Sequence, residues 1–454
     1  MSPTSARHPV DEYRPIRKLV PFGIQHVLVM AATPISSVFL VSKTLGLSAS
    51  LSEQLLAVAF VLSGIGTLIQ SLGPWKVGVR LPFVMLPGGA PLVLFIAIAK
   101  QYDLRTATGA VIITGAFYLV VVPTFARLLM RFFPTVVIGT LIVIIGVNLL
   151  YFGGVLITGR PGTPGFGNPR DIALGLATVG LTVFFFRVLS GTIRQLAVML
   201  GLIAGAVLAG ALGDFHLGPQ TTGIVHAPTP FPFGFPHFDL LAALPLMIFS
   251  LVSMAETTGQ TVLNAEIVGK DIDIHRAVPQ TVRGDALVSL LGGFFGSSLL
   301  VTSGENIGIV RVSGVRSRFV TVVAGIILIL IGILTPIARV ISAIPAPVVG
   351  GTALVVYAII IVMGVQMLRK VDFADQGNIV IATAALALGL LPILIPGLYH
   401  ALPANAQVLL GSGVACGAIV AVVLNIVFHH LRRHPGDTSA APQRAPDMVP
   451  ATKS

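Results

Sequence analysis

The sequence predicts an all-α polytopic membrane protein of about fourteen transmembrane helices, and three observations support that class. Of its 454 residues, 55% are hydrophobic and 10% are charged, with a mean hydropathy of +0.95, whereas soluble domains carry about 25% charged residues. Apolar runs of about 17–25 residues, long enough to cross a bilayer, follow one another along most of the chain. Two of these runs, one in each half, are interrupted by glycine, and the first also by proline.

The predicted spans are separated by short polar or basic segments. Their approximate bounds are 19–41, 50–72, 81–99, 107–128, 134–156, 172–189, 193–212, 240–263, 281–297, 299–315, 319–341, 346–368, 377–396 and 404–428. Residues 1–18 are polar and basic, so we expect an amino-terminal tail without a cleaved signal. Residues 434–454 combine proline with small polar residues and are expected to be a disordered tail.

The basic residues test this topology independently. With both termini in the cytoplasm, all but six of the 28 lysines and arginines fall on the cytoplasmic side. This asymmetry is typical of proteins of the cytoplasmic (inner) membrane. The net charge of +11 therefore indicates cytoplasmic loops near anionic lipid rather than binding to nucleic acid.

The two interrupted spans predict the location of a site. Fourteen spans divide into seven and seven, and an odd number per half gives the opposite orientations of an inverted repeat. The interruptions, residues 86–91 and 302–308, fall in the third span of each half, and the polar segment 213–237 separates the halves. Non-helical backbone at bilayer depth must line a cavity or be buried in protein. Paired breaks of this kind are typical of a transporter's substrate site.

Three acidic residues are predicted at membrane depth. Glu256 lies inside the eighth span, Glu305 in the break of the tenth, and Asp285 near the start of the ninth. A carboxylate in the membrane is costly unless it is paired, protonated or facing water, so each is a candidate for substrate binding or proton coupling. The alternative is a hydrogen bond that holds helices together, and Asp285 could also lie near the membrane interface.

Other polar residues could complete the site. Gln260 follows Glu256 by four residues, which places both on one helix face, where they match a planar ligand edge of alternating N–H and C=O groups. His26, next to Gln25 in the first span, could relay protons or fix helix packing. Tyr357 could contact ligand or simply pack. No spacing typical of a metal or nucleophilic centre occurs, so we expect no cofactor and no enzyme activity.

Together these motifs resemble the nucleobase–ascorbate transporter family, also called the uracil–xanthine permeases, over nearly the whole chain. Residues 305–308 (Glu-Asn-Ile-Gly) followed by Ser313 are similar to the family signature. Residues 255–259 (Ala-Glu-Thr-Thr-Gly) resemble the eighth-span motif, and residues 345–351 resemble the entrance of the twelfth span.

The resemblance implies proton-coupled uptake of a nucleobase by a homodimer whose two domains move against each other. Short antiparallel strands in spans three and ten would hold the substrate between a core domain (residues 19–128 and 240–341) and a gate domain (residues 134–212 and 346–428). By similarity, Gly304 contributes backbone beside the two glutamates and Tyr357 approaches from the gate. The other positions carried over are substrate-binding Gly89 and Ala90 and the structural signature residues Gln25, Asn306 and Gly308.

The chain departs from the family pattern at two positions. Gln260 stands where uracil permeases carry His and xanthine permeases usually carry Asp, and Gly89 stands where an aromatic residue usually stacks on the base. Glu305 resembles the uracil branch, whereas Asp285 and residues 80–82, 266–273 and 313–318 resemble the purine branch. The base could therefore be uracil or a purine such as xanthine or urate.

Three other functions fit parts of the pattern. Anion exchangers share the architecture implied by the resemblance, but two intramembrane acids would repel an anion. A transporter of another small planar solute stays open. A channel is disfavoured by acid-bearing broken spans, which indicate an occluded site, and a membrane enzyme by the lack of a catalytic constellation.

Overall fold

The computed structural model describes residues 8–13, 15–130, 132–159, 161, 165–191, 193–217, 227–395, 397–402, 404–411 and 413–431. The predicted disordered tail, residues 434–454, lies outside the described residues, as do residues 1–7. Within helices the description covers only the backbone fold at several positions, including Ala90, Glu305 and Gly308.

Eight helices form the first half: α1 (Ile16–Met30), α2 (Ala32–Leu45), α3 (Ala49–Leu72), α4 (Gly89–Gln101), α5 (Leu104–Met130), α6 (Thr135–Thr158), α7 (Pro169–Val188) and α8 (Ala197–Ala211). The first predicted span is two helices, because Pro34 has no N–H to bond the carbonyl four residues earlier. Gly46, at a φ of +68°, ends α2, and the Ser48 hydroxyl caps α3 by accepting from the Leu51 amide at 3.3 Å.

Nine helices form the second half: α9 (Leu240–Val268), α10 (Ile274–Phe294), α11 (Gly304–Ser313), α12 (Phe319–Ile333), α13 (Thr335–Ser342), α14 (Ala346–Leu368), α15 (Gln376–Leu394), α16 (Ala404–Gly411) and α17 (Gly413–Asn425). Helix α10 begins seven residues before the predicted ninth span, because Asp273 caps it by accepting from the His275 amide at 3.0 Å. The predicted eleventh span is divided into α12 and α13 next to Pro336, which cannot donate a backbone hydrogen bond.

Nine helical segments of the described residues are long and apolar enough to cross a membrane. Shorter apolar helices at Pro91–Gln101, Ala197–Ala211 and Phe319–Ile333 correspond to three more of the predicted spans. Helices α10 and α11 occupy the remaining two. The predicted class, a multi-pass and mainly helical membrane protein, is confirmed.

Two short strands occupy the interruptions of the third and tenth predicted spans. Strand β1 (Met85–Pro87) pairs antiparallel with β2 (Leu300–Thr302), with Leu86 opposite Val301. The pairing extends by one backbone bond at each end: the Ser303 amide donates to the Val84 carbonyl at 2.9 Å, and the Gly88 amide to the Leu299 carbonyl at 3.0 Å. The backbone groups freed by the helix breaks therefore satisfy each other, as the membrane requires.

The long helices pack in two groups. Helices α1, α3, α5, α9, α10 and α12 pack against one another, and the strand pair lies against α3 and α10. Helices α6, α7, α8, α14, α15 and α17 form the second group, in which α6 and α14 make the most extensive contact. Helices α2 and α4 contact members of both groups.

Candidate substrate site

Glu256 and Gln260 lie on one face of α9 and bond to each other. The Gln260 Nε2 donates to Glu256 Oε1 at 3.0 Å, and both side chains are half-buried. An ionised carboxylate only accepts hydrogen bonds, so the carboxamide must turn its nitrogen towards Glu256 and its oxygen away. Gly259, between them in sequence, is exposed and has no neighbour within 4 Å of an added Cβ. This part of α9 therefore borders open space.

Asp285 is fully buried inside the protein. Its Oδ1 accepts from Gln70 Nε2 of α3 at 2.9 Å. Its Oδ2 accepts from the hydroxyl of Thr257 on α9 at 3.0 Å and lies 3.3 Å from the hydroxyl of Thr302 on β2. The carboxyl group thus joins α3, α9 and α10 to the strand pair.

Thr302 connects Asp285 to the pair on α9. Its hydroxyl lies 3.1 Å from Gln260 Oε1, in addition to its contact with Asp285. One continuous chain of polar contacts therefore runs from Glu256 through Gln260 and Thr302 to Asp285 and Gln70. Two of the predicted acids belong to a single network.

Gly304 brings the amino terminus of α11 to this network. A Cβ placed on Gly304 would lie 3.2 Å from Gln260 Nε2 and 3.7 Å from Met363 Cε on α14. A side chain at this position would make a tight contact with the carboxamide, so glycine lets the backbone approach it without a shift of Gln260. The preceding Ser303 makes no side-chain cap, and the start of a helix carries partial positive charge. Backbone donors and the Glu256 carboxylate thus border the same region.

His26 and Asn306 bond to each other on the other side of α11. The Asn306 Nδ2 donates to the Pro82 carbonyl at 2.6 Å, and the Asn264 Nδ2 donates to the same oxygen at 3.1 Å. The Asn306 Oδ1 then faces His26 Nδ1 at 2.6 Å, so that nitrogen carries the hydrogen. His26 is buried, and none of its contacts among the described residues reaches Glu256 or Asp285. Gln25, its neighbour on α1, is half-buried.

The remaining candidates lie around the same breaks. Tyr357 is buried on α14 where that helix packs against α6, and its hydroxyl has no hydrogen-bond partner among the described residues. Gly89 begins α4, and a Cβ there would lie 2.6 Å from Leu149 Cδ1 of α6. The side chains of Ala90 and Glu305 and the surroundings of Gly308 lie outside the description, so the roles of these residues stay predictions.

Four residues of the site were not among the sequence candidates: Thr257, Thr302, Gln70 and Met363. Gln70 lies in a predicted span that carries several other polar side chains, so polarity alone does not single it out. Thr302 lies in the break, but its partners are distant in sequence. Met363 gives no signal in an apolar helix.

Comparison with known proteins identifies the family. A model described as a permease family, Xan_ur_permease, matches residues 17–398. The chain is 32% identical to the uric acid permease PucK of Bacillus subtilis, covering 90% of this chain and 95% of that one. It is 31% identical to the uric acid transporter UacT of Escherichia coli, covering 94% and 89%. The chain belongs to the xanthine/uracil permease family. The permease is also 30% identical to the xanthine permease of B. subtilis over 91% of its length.

Solved structures share the fold of this permease. The transmembrane domain of the cyanobacterial bicarbonate transporter BicA superposes with a TM-score of 0.56 at 17% identity, covering 90% of this chain and 98% of that one. The murine anion transporter Slc26a9 gives 0.62 at 11% identity, covering 91% and 69%. The family match and the relatives show that the permease is a transport protein rather than an enzyme. The solved structures show that other transport proteins share its fold.

Proposed function

We propose that this permease is a proton-coupled symporter that imports a purine base such as xanthine or urate. The observation that carries the proposal is the bonded pair Glu256–Gln260 on one face of α9, beside the amino terminus of α11. Glu256 presents a carboxylate, Gln260 presents a donor and an acceptor, and the helix start presents backbone donors. An oxidised purine offers alternating N–H and C=O groups along one edge and matches this set.

The choice of a purine over uracil rests on the relatives. The similar proteins are named as uric acid and xanthine permeases, and the purine-branch features around Asp285 agree with them. Glu305 is the feature that favours uracil, which is therefore the second candidate base.

Proton coupling is proposed from the placement of the acids. Glu256 is half-buried and bonds a neutral carboxamide, and Asp285 is fully buried among neutral side chains. Neither has an ion-pair partner among the described residues, so the ionised forms are costly at membrane depth. A proton taken up at either acid would lower that cost and prepare the site for a neutral base. Glu305 has the same proposed role by family resemblance, and His26 stays a candidate for proton relay.

The two packing groups of helices support a mechanism in which a core domain moves against a gate domain. The helices of the first group belong to the segments proposed as the core domain, and those of the second group to the segments proposed as the gate domain. The packing also agrees with a seven-plus-seven inverted repeat, in which each span corresponds to the span seven places further along the chain. The contact between spans two and eleven (α3 and α12) then corresponds to the contact between spans nine and four (α10 and α5). The contact between spans six and seven (α7 and α8) likewise corresponds to that between spans thirteen and fourteen (α15 and α17). Both broken spans lie where the two domains would meet.

The remaining parts of the proposal rest on charge and resemblance. We place the permease in the cytoplasmic membrane, with both termini in the cytoplasm, because the basic residues then face anionic lipid. The homodimer follows from the family resemblance, and cross-linking in native membranes tests it. No nucleic acid partner and no cofactor are part of the mechanism.

Uptake into proteoliposomes tests the function. Labelled xanthine, urate, uracil and adenine are supplied with and without an inward pH gradient. We expect purine uptake that rises with the gradient, and we expect Glu256→Gln to abolish the proton-driven part. Glu266→Gln is the matched control, because Glu266 lies on the same helix but is exposed. No uptake of any base, or uptake of an inorganic anion alone, would overturn the proposal.

A further inference from the structure

We infer that Thr302 is a positioning residue that links the protonation state of Asp285 to the orientation of the Gln260 carboxamide. The linkage is a property of the polar network itself. Its consequence for purine affinity rests on the function proposed above.

Thr302 has one hydroxyl hydrogen and two side-chain acceptors. Its Oγ1 lies 3.1 Å from Gln260 Oε1 and 3.3 Å from Asp285 Oδ2. An ionised Asp285 can only accept, and Gln260 must point its oxygen at Thr302 because its nitrogen donates to Glu256. When Asp285 is ionised, only one of the two contacts can therefore be a hydrogen bond. The other brings two acceptors together without a hydrogen between them.

Protonation of Asp285 removes this conflict. Oδ1 already accepts from Gln70 Nε2, which can only donate, so the added proton belongs on Oδ2. From there it is donated to Thr302 Oγ1, the Thr302 hydrogen is donated to Gln260 Oε1, and Gln260 Nε2 donates to Glu256. Every donor in this sequence then has an acceptor, and the carboxamide is held at both ends.

Ionisation of Asp285 reverses the direction of one bond. The proton leaves to water, and the Thr302 hydrogen turns to the charged Oδ2, because a hydrogen bond to a carboxylate is stronger than one to a neutral amide. Gln260 Oε1 then loses its partner and the carboxamide is held only through Glu256. We therefore expect the protonated form to bind purine more tightly, and by reciprocity bound purine to favour protonation.

Few other groups can titrate beside Asp285. Among the described residues the titratable groups near it are the Tyr118 hydroxyl on α5 and Glu256 on α9, and α10 itself carries Arg283 two residues earlier. The side chains that α3 and β2 direct at Asp285 are neutral. Glu256 can add its own pH dependence to the Gln260 carbonyl band and to the purine affinity. The contribution of Asp285 to each is therefore defined as the part of the pH-dependent change that Asp285→Asn removes.

The variants separate the linkage from a merely structural role. Thr302→Val keeps the shape and a strand-forming side chain but removes the hydroxyl, whereas Thr302→Ser keeps the hydroxyl. Thr257→Val is the matched control, because Thr257 also donates to Asp285 Oδ2 but makes no hydrogen bond to Gln260 among the described residues. It removes a partner of Asp285 without interrupting the path to Gln260.

Infrared spectroscopy measures the linkage without substrate. Purified permease in nanodiscs, with ¹³C-labelled glutamine carboxamides, is titrated with acid, and the bands are assigned by their loss in Asp285→Asn and Gln260→Met. We expect the Gln260 carbonyl band to shift together with the Asp285 carboxyl band in wild type, Thr302→Ser and Thr257→Val. In Thr302→Val, Asp285 still titrates, but the part of the Gln260 band shift that Asp285→Asn removes is absent. A Gln260 band that still follows Asp285 in Thr302→Val would overturn the linkage.

Purine binding measures the consequence. The Kd for xanthine or urate is determined across the same pH range in the same nanodiscs. The loss of one neutral hydrogen bond predicts a rise of about five- to tenfold as Asp285 ionises, and Thr302→Val and Asp285→Asn are expected to remove this step. An equal rise in Kd with pH in wild type and in Thr302→Val would overturn the role of Thr302 in purine affinity. No binding by wild type would reject the proposed substrate and leave the infrared result to decide the linkage.

Discussion

The Gln260 carboxamide donates to the Glu256 carboxylate across one turn of α9, at 3.0 Å, while its oxygen faces Thr302 at 3.1 Å. The carboxamide is therefore the link between a half-buried acid that can meet a ligand and a fully buried acid that cannot. A histidine or aspartate at position 260, as the family resemblance leads one to expect, would be a titratable group. This permease uses a neutral group that both donates and accepts.

Replacement of Gln260 by methionine tests the importance of this link for binding. Gln260→Met keeps the length of the side chain but removes two hydrogen bonds, so we expect the Kd for xanthine to rise at least tenfold, which corresponds to about 1.4 kcal/mol. Equilibrium binding in nanodiscs measures this Kd. Gln407→Ala is the control, because the Gln407 carboxamide on α16 donates to the His400 carbonyl and makes no hydrogen bond to Gln260 or Glu256 among the described residues. Unchanged affinity would exclude Gln260 from the site.

Gly89 and Leu149 form a second testable pair. A Cβ on Gly89 would lie 2.6 Å from Leu149 Cδ1, so an aromatic residue at position 89 meets a side chain that already fills the space. We expect Gly89→Phe to destabilise the permease by about 1–3 kcal/mol through overpacking. The double variant Gly89→Phe/Leu149→Ala should recover most of that loss, as measured by thermal unfolding in detergent. In the double variant the new ring can also stack on a base, an interaction worth about 1–3 kcal/mol in nucleic-acid sites.

Two outcomes would contradict this account of the Gly89 site. If Gly89→Phe alone were as stable as wild type, Leu149 would not fill the space that the glycine leaves. If Leu149→Ala failed to restore stability in the double variant, the strain would lie elsewhere. The single variant Leu149→Ala is the control for the cavity that the substitution itself creates.

The sequence predicted the helical class and both breaks because these depend on local composition. Apolar length and the position of basic residues are local properties. The strand pair was predicted only by resemblance, since its partners are more than two hundred residues apart and each strand has three residues. The exact ends of spans were less predictable. Pro34 and Pro336 divide helices that hydropathy alone joins, and Asp273 starts α10 earlier than its apolar run suggests.

For the site, the sequence predicted residues whose charge is unusual in a membrane. Glu256 and Gln260 follow from helical spacing alone, and the structure brings them together. The environment of Asp285 could not be predicted, because Gln70, Thr257 and Thr302 come from three separate elements. Met363 is an ordinary apolar residue whose position beside Gly304 exists only in the folded chain.

Asn306 offers a test of the signature segment. Its amide donates to the Pro82 carbonyl at 2.6 Å, and its oxygen faces His26 Nδ1 at 2.6 Å. An aspartate at this position can only accept when ionised, so Asn306→Asp places two acceptors against each other at Pro82. We expect a lower unfolding temperature and transport below about one tenth of wild type, since a buried unsatisfied group costs about 1–3 kcal/mol.

The same arrangement predicts the tautomer of His26. ¹⁵N NMR of labelled histidine should show the hydrogen on Nδ1 in wild type and a changed signal in Asn306→Asp. Asn378→Asp, in the first turn of α15, controls for the added charge. A His26 signal with the hydrogen on Nε2 alone would show that Asn306 is oriented the other way and would remove the basis of this prediction.

The amino-terminal segment before α1 predicts a pH-dependent contribution to stability. Asp11 bonds Arg318 Nε at 2.7 Å and lies 3.5 Å from Lys270 Nζ, and Arg318 also donates to the Ser71 carbonyl at 2.7 Å. Next to it, Val10 is fully buried against residues of α9, α10 and α11. Partial burial by itself would raise the pKa of the Asp11 carboxyl, but the charges of Lys270 and Arg318 outweigh it and hold that pKa below its usual value.

The direction of the pH effect follows from this lowered pKa. The contribution of Asp11 is complete above the ordinary aspartate pKa of 3.8 and is lost as the pH falls through the lower value of the folded state. At neutral pH we expect Asp11→Asn to lower the unfolding temperature by about 1–3 °C, because the pair is partly exposed and screened. The difference from wild type should shrink as the pH falls below about 4. Asp273→Asn is the matched control, since Asp273 and its partner Arg276 are more exposed and asparagine still caps α10. An equal effect of the two substitutions, or a difference that grows in acid, would contradict the role assigned to the Asp11 cluster.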